Sequence, residues 1–144
     1  LGNAVTYSWA VAGQPYPWVV QRARVPNKRA TDAVLNMRAY QTAIQAEFIR
    51  GWGRPELLTG AIRLSVHVWR LAPRYPTHVT DHWLRQQALR PPDATNYQKA
   101  VEDALSGLVW VDDAQVVWPE TIKSTAVAGT ARTIIEVREL YPHD

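Results

Sequence analysis

Ile62, Leu64, Val66 and Val68 alternate with Arg63, Ser65, His67 and Trp69, and this period of two limits the fold more than any other stretch. Successive side chains of a strand point to opposite faces, so the pattern buries one face and leaves the other more polar. The chain must therefore build a sheet with one face against a core. Val5, Tyr7, Trp9 and Val11 repeat the pattern and predict a first strand ending at Gly13 and Pro15. Trp18 to Val20 is read as a second strand, running into the basic loop Gln21 to Arg29. Leu108 to Val111 is a short apolar run. Val116 to Lys123 and Arg132 to Glu139 predict two further strands, with a hairpin through Ala128-Gly129-Thr130 as the expected connection.

Helical periodicity appears twice. Tyr40, Ile44 and Phe48 share one face of a helix that Asn36 can cap and Gly51 can close. A second helix is predicted from about Asn96 to Ser106, stopped by Gly107, with Thr95 and Gln98 matching a capping box. Between the last strand of the first half and this helix, Leu71 to Pro92 is irregular and proline-rich, with one short helix begun by Thr80-Asp81. The expected order is β-β-α-β-loop-α-β-β-β: an α+β fold, a mixed β-sheet with two main helices packed on it. With 144 residues the whole chain, 1–144, is expected to form a single domain.

Charge is divided unevenly along the sequence. Between Arg22 and Arg90 lie twelve Lys or Arg residues against four acidic ones, whereas from Pro91 onward there are four basic and nine acidic. A basic half can hold a polyanion and an acidic half a cation, although two solvated surfaces would look the same. There is no cysteine, which removes disulfides and thiolate metal sites. No apolar run reaches the length of a membrane span, and Leu1 to Gly13 lacks the charged start and long apolar centre of a signal peptide. An intracellular, cytoplasmic protein is expected. The four histidines show no metal-ligand spacing, and no nucleophile elbow, phosphate-binding loop or dinucleotide fingerprint is present.

Chemistry is concentrated around the second helix. Asp93 precedes it, Asp103 lies within it, and Asp112-Asp113 follows it. Magnesium takes hard oxygen ligands and keeps several waters, so one or two carboxylates plus a substrate phosphate can complete its shell. Asn96, Lys99 and Asp103 fall at i, i+3 and i+7, on one helix face, which would turn Lys99 to the side of Asp93. Taken by spacing alone, humbler roles suit these residues better: Asp93 as a cap, Lys99 and Asp103 as a surface pair, Asp112-Asp113 as a turn.

Their order points elsewhere. Pro92-Asp93-Ala94-Thr95-Asn96-Tyr97-Gln98-Lys99, then Asp103-Ala104-Leu105, then Asp112-Asp113-Ala114-Gln115-Val116, resembles the signature of RusA-type Holliday junction resolvases. That signature is a D-x-[DT]-N-x-x-K helix entry followed by D-A-L and D-D-x-Q-[VI]. Upstream, Gly13-Gln14-Pro15-Tyr16-Pro17 and Arg22-Ala23-Arg24 resemble the family's G-x-P-x-P and R-x-R elements. The proline-rich stretch before Pro92 resembles an insertion of phage and prophage members.

The resemblance implies a homodimer that binds four-way DNA junctions and nicks them by Mg²⁺-dependent hydrolysis, with Mn²⁺ as a substitute, in a bacterial or phage-infected cell. It implies Asp93 and Asp113 as catalytic, metal-binding carboxylates, with Asp112 beside them, and Lys99 as the positive group near the scissile phosphate. Thr95, Asn96 and Asp103 match supporting positions. Thr95 stands where the better-known motif has a second acid. A hydroxyl is a weak, neutral ligand, so either metal affinity falls or Thr95 is a cap and Asp112 or Asp103 supplies the charge. Arg22, Arg24, Lys28 and Arg29 are the candidates for DNA phosphate contacts. Two other functions remain open: a DNA-binding protein of the same fold with little or no catalysis, and a nuclease for flaps or forks.

Overall fold

A computed structural model describes residues 4–19 and 27–141. Within them the order is β1 (Thr6–Ala12), α1 (Lys28–Trp52), β2 (Ala61–Leu71), α2 (Asp81–Ala88), α3 (Ala94–Leu105), a single 3-10 turn (Asp113–Gln115), β3 (Val116–Ala126) and β4 (Arg132–Tyr141). The four strands form one sheet in the order β1-β4-β2-β3. β2 runs parallel to β3 and antiparallel to β4, and β4 runs antiparallel to β1. The fold is α+β with a mixed sheet, as expected from the sequence.

The alternation in β2 does what its period requires. Ile62, Leu64, Val66 and Val68 are buried, while the intervening residues are half-buried. Tyr7, Trp9 and Val11 of β1 and Ile135 and Val137 of β4 join them in the core. α1 lays Tyr40, Ile44 and Phe48 on this layer, with the Phe48 ring edge-on to Tyr7 at 5.2 Å and to Trp9 at 4.9 Å. α3 adds Tyr97, Ala100, Val101, Ala104 and Leu105. No helix among the described residues is long and apolar enough to cross a membrane.

Several expectations need correction. α1 begins at Lys28 with Asn27 as its cap, not near Asn36, so Lys28 and Arg29 belong to a first helical turn instead of a loop. Its first two turns, Lys28 to Leu35, carry little buried surface and so leave no apolar period to read. Trp18 and Val19 are not in a strand, and Val20 lies outside the described residues. Pro15 and Pro17 lack an N–H and cannot serve a ladder; instead the Trp18 N–H donates to the Asn96 carbonyl at 2.9 Å. Leu108 to Val111 forms no strand: Trp110 makes only single bridges, to Leu58 and Ser106, and is fully buried.

β3 and β4 are not a hairpin either, because β2 lies between them. Strands two places apart are about 10 Å distant, which the five residues 127–131 between Ala126 and Arg132 span easily. The short loop that suggested direct pairing is equally able to step over a neighbour.

Candidate active site

α3 carries most of the residues singled out by the motif, and it begins two residues earlier than its sequence suggests. Asp93 occupies the N-cap position with extended backbone, but its side chain makes no capping hydrogen bond. Thr95 therefore sits in the first turn and is exposed, not a cap. Asp93 is exposed as well, so its carboxylate is not committed to the helix end it introduces.

The face bearing Asn96, Lys99 and Asp103 is used for packing contacts. The Lys99 ammonium lies 3.6 Å from the centre of the Trp18 ring, a cation–π contact of about 0.5–1 kcal/mol at an exposed site. Asp103 accepts a 2.9 Å hydrogen bond from Gln41 Nε2, which also donates to the Ala100 carbonyl at 3.0 Å. Gln45 donates to the Ala104 carbonyl at 2.9 Å. Two glutamines of α1 thus stitch α3 to its neighbour, and Asp103 is part of that seam. Lys99 and Asp103 form no ion pair among the described residues.

The D-D-x-Q segment divides its labour. Asp112 caps the 3-10 turn through the Ala114 N–H at 2.9 Å, and Gln115 completes a reciprocal capping box. The Gln115 Oε1 accepts from the Val111 and Asp112 N–H groups, while its Nε2 donates to the carbonyls of Leu58 and Gly60. Asp113 alone is left largely free: Trp110 Nε1 donates to one carboxylate oxygen at 2.9 Å, and the group is otherwise exposed. The buried indole holds Asp113 by one edge and leaves the rest of its carboxylate accessible.

Three residues that sequence reasoning passed over adjoin these acids. Glu102 is half-buried, accepts from Gln98 Nε2 at 3.0 Å, and Gln98 in turn accepts from Thr121 Oγ1 at 3.2 Å. Burial raises the Glu102 carboxyl above the usual carboxylate range and the negative charge of Asp113 raises it further, against the lowering effect of the Gln98 bond. Its signal was available: Thr95, Gln98 and Glu102 share a helix face at i, i+3 and i+7. Near Asp93 stand Arg70 of β2 and Lys123 of β3. Lys123 Nζ donates to the carbonyls of Arg90 at 2.8 Å and Pro92 at 2.9 Å. Burial and Arg70 lower its ammonium from the usual lysine value, and Asp93 opposes that shift. Arg70 is the polar continuation of the buried phase Ile62, Leu64, Val66, Val68, an irregularity readable in the sequence.

A cleft of about 540 Å³ opens beside this end of α3, lined by Tyr16, Arg70, Gln87, Arg90, Tyr97 and Thr125 among others. Lys28 and Arg29 are exposed in the first turn of α1, which contains no acid. Arg22 and Arg24 lie outside the described residues.

The acids of the motif do not meet within one chain. α3 has 12 residues, about 18 Å end to end. Asp93 stands at its first end near Lys123, whereas Asp113 is felt by Glu102 near its last. The strands agree: Gln115 is bonded to Leu58 and Gly60 before β2, while Arg70 lies at the far end of that strand. No group of three His, Cys, Asp or Glu side chains able to hold a metal occurs among the described residues. Asp93 and Asp113 each suit a hard cation as exposed carboxylates, but a single chain does not place them in one coordination shell.

A helix entry with an uncommitted aspartate, a capped D-D-x-Q turn and a mixed sheet joining them make up one α+β unit. The chain belongs to the RusA endodeoxyribonuclease family: the family model described as Endodeoxyribonuclease RusA matches residues 13–138. It is also similar to the uncharacterized protein YqaN of Bacillus subtilis (strain 168), at 39% identity over 70 residues, covering 44% of this chain and 49% of the relative. The chain thus spans about half the length of the curated relative it matches.

Proposed function

We propose that this chain is a divalent-metal-dependent endodeoxyribonuclease that nicks four-way DNA junctions as a homodimer. The observation that carries the reading is the family match over residues 13–138, which includes every residue of the motif. In this reading Asp93 and Asp113 are the metal-binding and catalytic carboxylates, with Mg²⁺ the expected ion and Mn²⁺ a substitute. When bound, such an ion polarises the phosphodiester and lowers the pKa of its water. Lys99, released from Trp18, contributes positive charge toward the phosphate. Asp112, Asn96 and Asp103 support the site by holding its two ends in shape, and Thr95 offers a neutral hydroxyl beside Asp93.

The separation of the acids supports the homodimer in this reading. With Asp93 and Asp113 at opposite ends of α3, a second copy is the simplest source of the missing carboxylate at each end. Lys28 and Arg29 are proposed phosphate contacts, since two cations in a helix's first turn oppose its dipole unless an anion sits there; Arg22 and Arg24 are proposed with them.

The test is cleavage of a mobile four-way junction with and without Mg²⁺, read by strand and position. Asp93→Asn and Asp113→Asn should each abolish nicking and leave junction binding intact; full cleavage by both variants would sink the reading. A second reading, branched-DNA binding without cleavage, draws support from Thr95 and from the lack of a three-residue metal cluster among the described residues. Tight binding with no Mg²⁺- or Mn²⁺-stimulated cleavage would select it. Preferential cutting of flaps or forks would instead shift the substrate.

A further inference from the structure

The segment that leads into α3 is held by side-chain cations. Pro91 and Pro92 have no N–H and cannot join a ladder, so the carbonyls around them need partners from elsewhere. Two residues provide them. Arg70 Nη1 donates to the Pro91 carbonyl, and Nη2 donates to Arg90 at 2.8 Å and to Gln87 at 3.1 Å, near the C-terminus of α2. Lys123 Nζ donates to Arg90 at 2.8 Å and to Pro92 at 2.9 Å.

Both cations come from the parallel pair of strands and project from the same face. Val68, buried in the core, is opposite Lys123, and Arg70 is opposite Thr125 one pair further on. Neither takes part in an ion pair among the described residues. Their charge is directed at four backbone carbonyls in the six residues immediately before Asp93. A surface contact would need one such bond; five from two buried-phase positions fix a path.

We propose that Arg70 and Lys123 act as a carbonyl clamp, making them positioning residues that set where α3 begins and where the Asp93 carboxylate points. The clamp joins the two ends of the site. β3 starts directly after the Asp113 turn and carries Lys123 to the Asp93 entry, so one strand registers both acids against β2. The clamp itself rests on these contacts; its catalytic consequence rests on the nuclease reading.

The test uses the whole chain and two readouts. Hydrogen exchange should show the amides of Asn96 and Trp18 exchanging about tenfold faster in Arg70→Ala and Lys123→Met. Both report on the first turn of α3, since Asn96 N–H donates to the Asp93 carbonyl and Trp18 N–H to that of Asn96. The amides of Val66 and Ile135 should stay protected. In junction cleavage, kcat should fall about 10- to 100-fold while KM changes less than about threefold, and Lys123→Arg should recover most of the loss. A role in bulk stability alone would not divide kcat from KM.

Unchanged exchange at Asn96 and Trp18 overturns the clamp, as does a loss carried entirely by KM. If Arg70→Ala also loses protection in the sheet, Lys123→Met, which removes only two of the five bonds, decides by the same criteria. A parent chain that cleaves no branched DNA overturns the nuclease reading instead, and the exchange measurement still decides whether the clamp holds Asp93.

Discussion

Gln115 uses both ends of its amide: two N–H groups meet its oxygen and two carbonyls meet its nitrogen. Replacing it by leucine leaves four backbone groups without that partner around the turn bearing Asp113. Because water reaches part of the site, Gln115→Leu should cost about 2 kcal/mol, read as a lower urea midpoint at unchanged m-value. Glu102 makes a prediction in pH. Burial first, and the charge of Asp113 second, hold its carboxyl above the ordinary range. Its ionisation is therefore harder in the folded state than in the unfolded chain. The stability it contributes is full below the unfolded value, about 4.3, and is lost as pH rises through the raised folded value. Urea midpoints of Glu102→Gln and the parent should agree in acid and separate in favour of the variant by neutral pH; a constant gap would contradict the assignment. At this scale the sequence was uneven. The order of Asp93, Lys99 and Asp113 was legible as a motif, but Arg70, Glu102 and Lys123 act through neighbours that no linear pattern displays. Only the register of β2 and the wheel of α3 bring them into view.

Among the elements, α1 is the one whose ends were hardest to read and whose start matters most. The sequence shows a helix where it shows a stripe, and the stripe from Tyr40 to Phe48 covers only the part of α1 that packs on the core. Its first turns project without an apolar period, held by Asn27, whose side chain accepts from the Ala30 N–H at 2.8 Å. There Lys28 and Arg29 face the positive end of the helix dipole with no acid to offset them. Exchanging both for glutamate should favour the free protein slightly, by a few tenths of a kcal/mol per residue. The same change should weaken junction binding and flatten its salt dependence by about two counterions. Equal affinity and slope in parent and variant would remove these residues from the DNA interface. α3 was legible from the start because its buried stripe runs its full length, although the extended backbone at Asp93 moved its cap by two residues.

For the molecule as a whole, the separation of Asp93 from Asp113 makes complementation the decisive measurement. Chains carrying Asp93→Asn and chains carrying Asp113→Asn should each be inactive alone. Mixed under conditions of subunit exchange, they should regain cleavage, because a mixed pair holds one intact Asp93 on one copy and one intact Asp113 on the other. No recovery, with exchange verified by differently tagged subunits, would mean that the two acids act within one chain. The overall α+β class came through in the sequence because hydrophobic period reports directly on faces. Sheet order did not, because strand adjacency depends on loops that can close a hairpin or step across a strand with the same few residues.

That order has a consequence for how the protein comes into being. β4 is the last of the four strands to be synthesised, yet it sits between β1 and β2 and, among the described residues, is the sole sheet partner of β1. A growing chain that has emerged only as far as β3 can pair β2 with β3, but it holds β1 as an unpaired strand carrying Tyr7, Trp9 and Val11. Closure waits for the final stretch, and contacts of such long sequence separation form slowly. Until β4 has emerged and paired, β1 is thus a vulnerability to chaperones, proteases and neighbouring nascent chains.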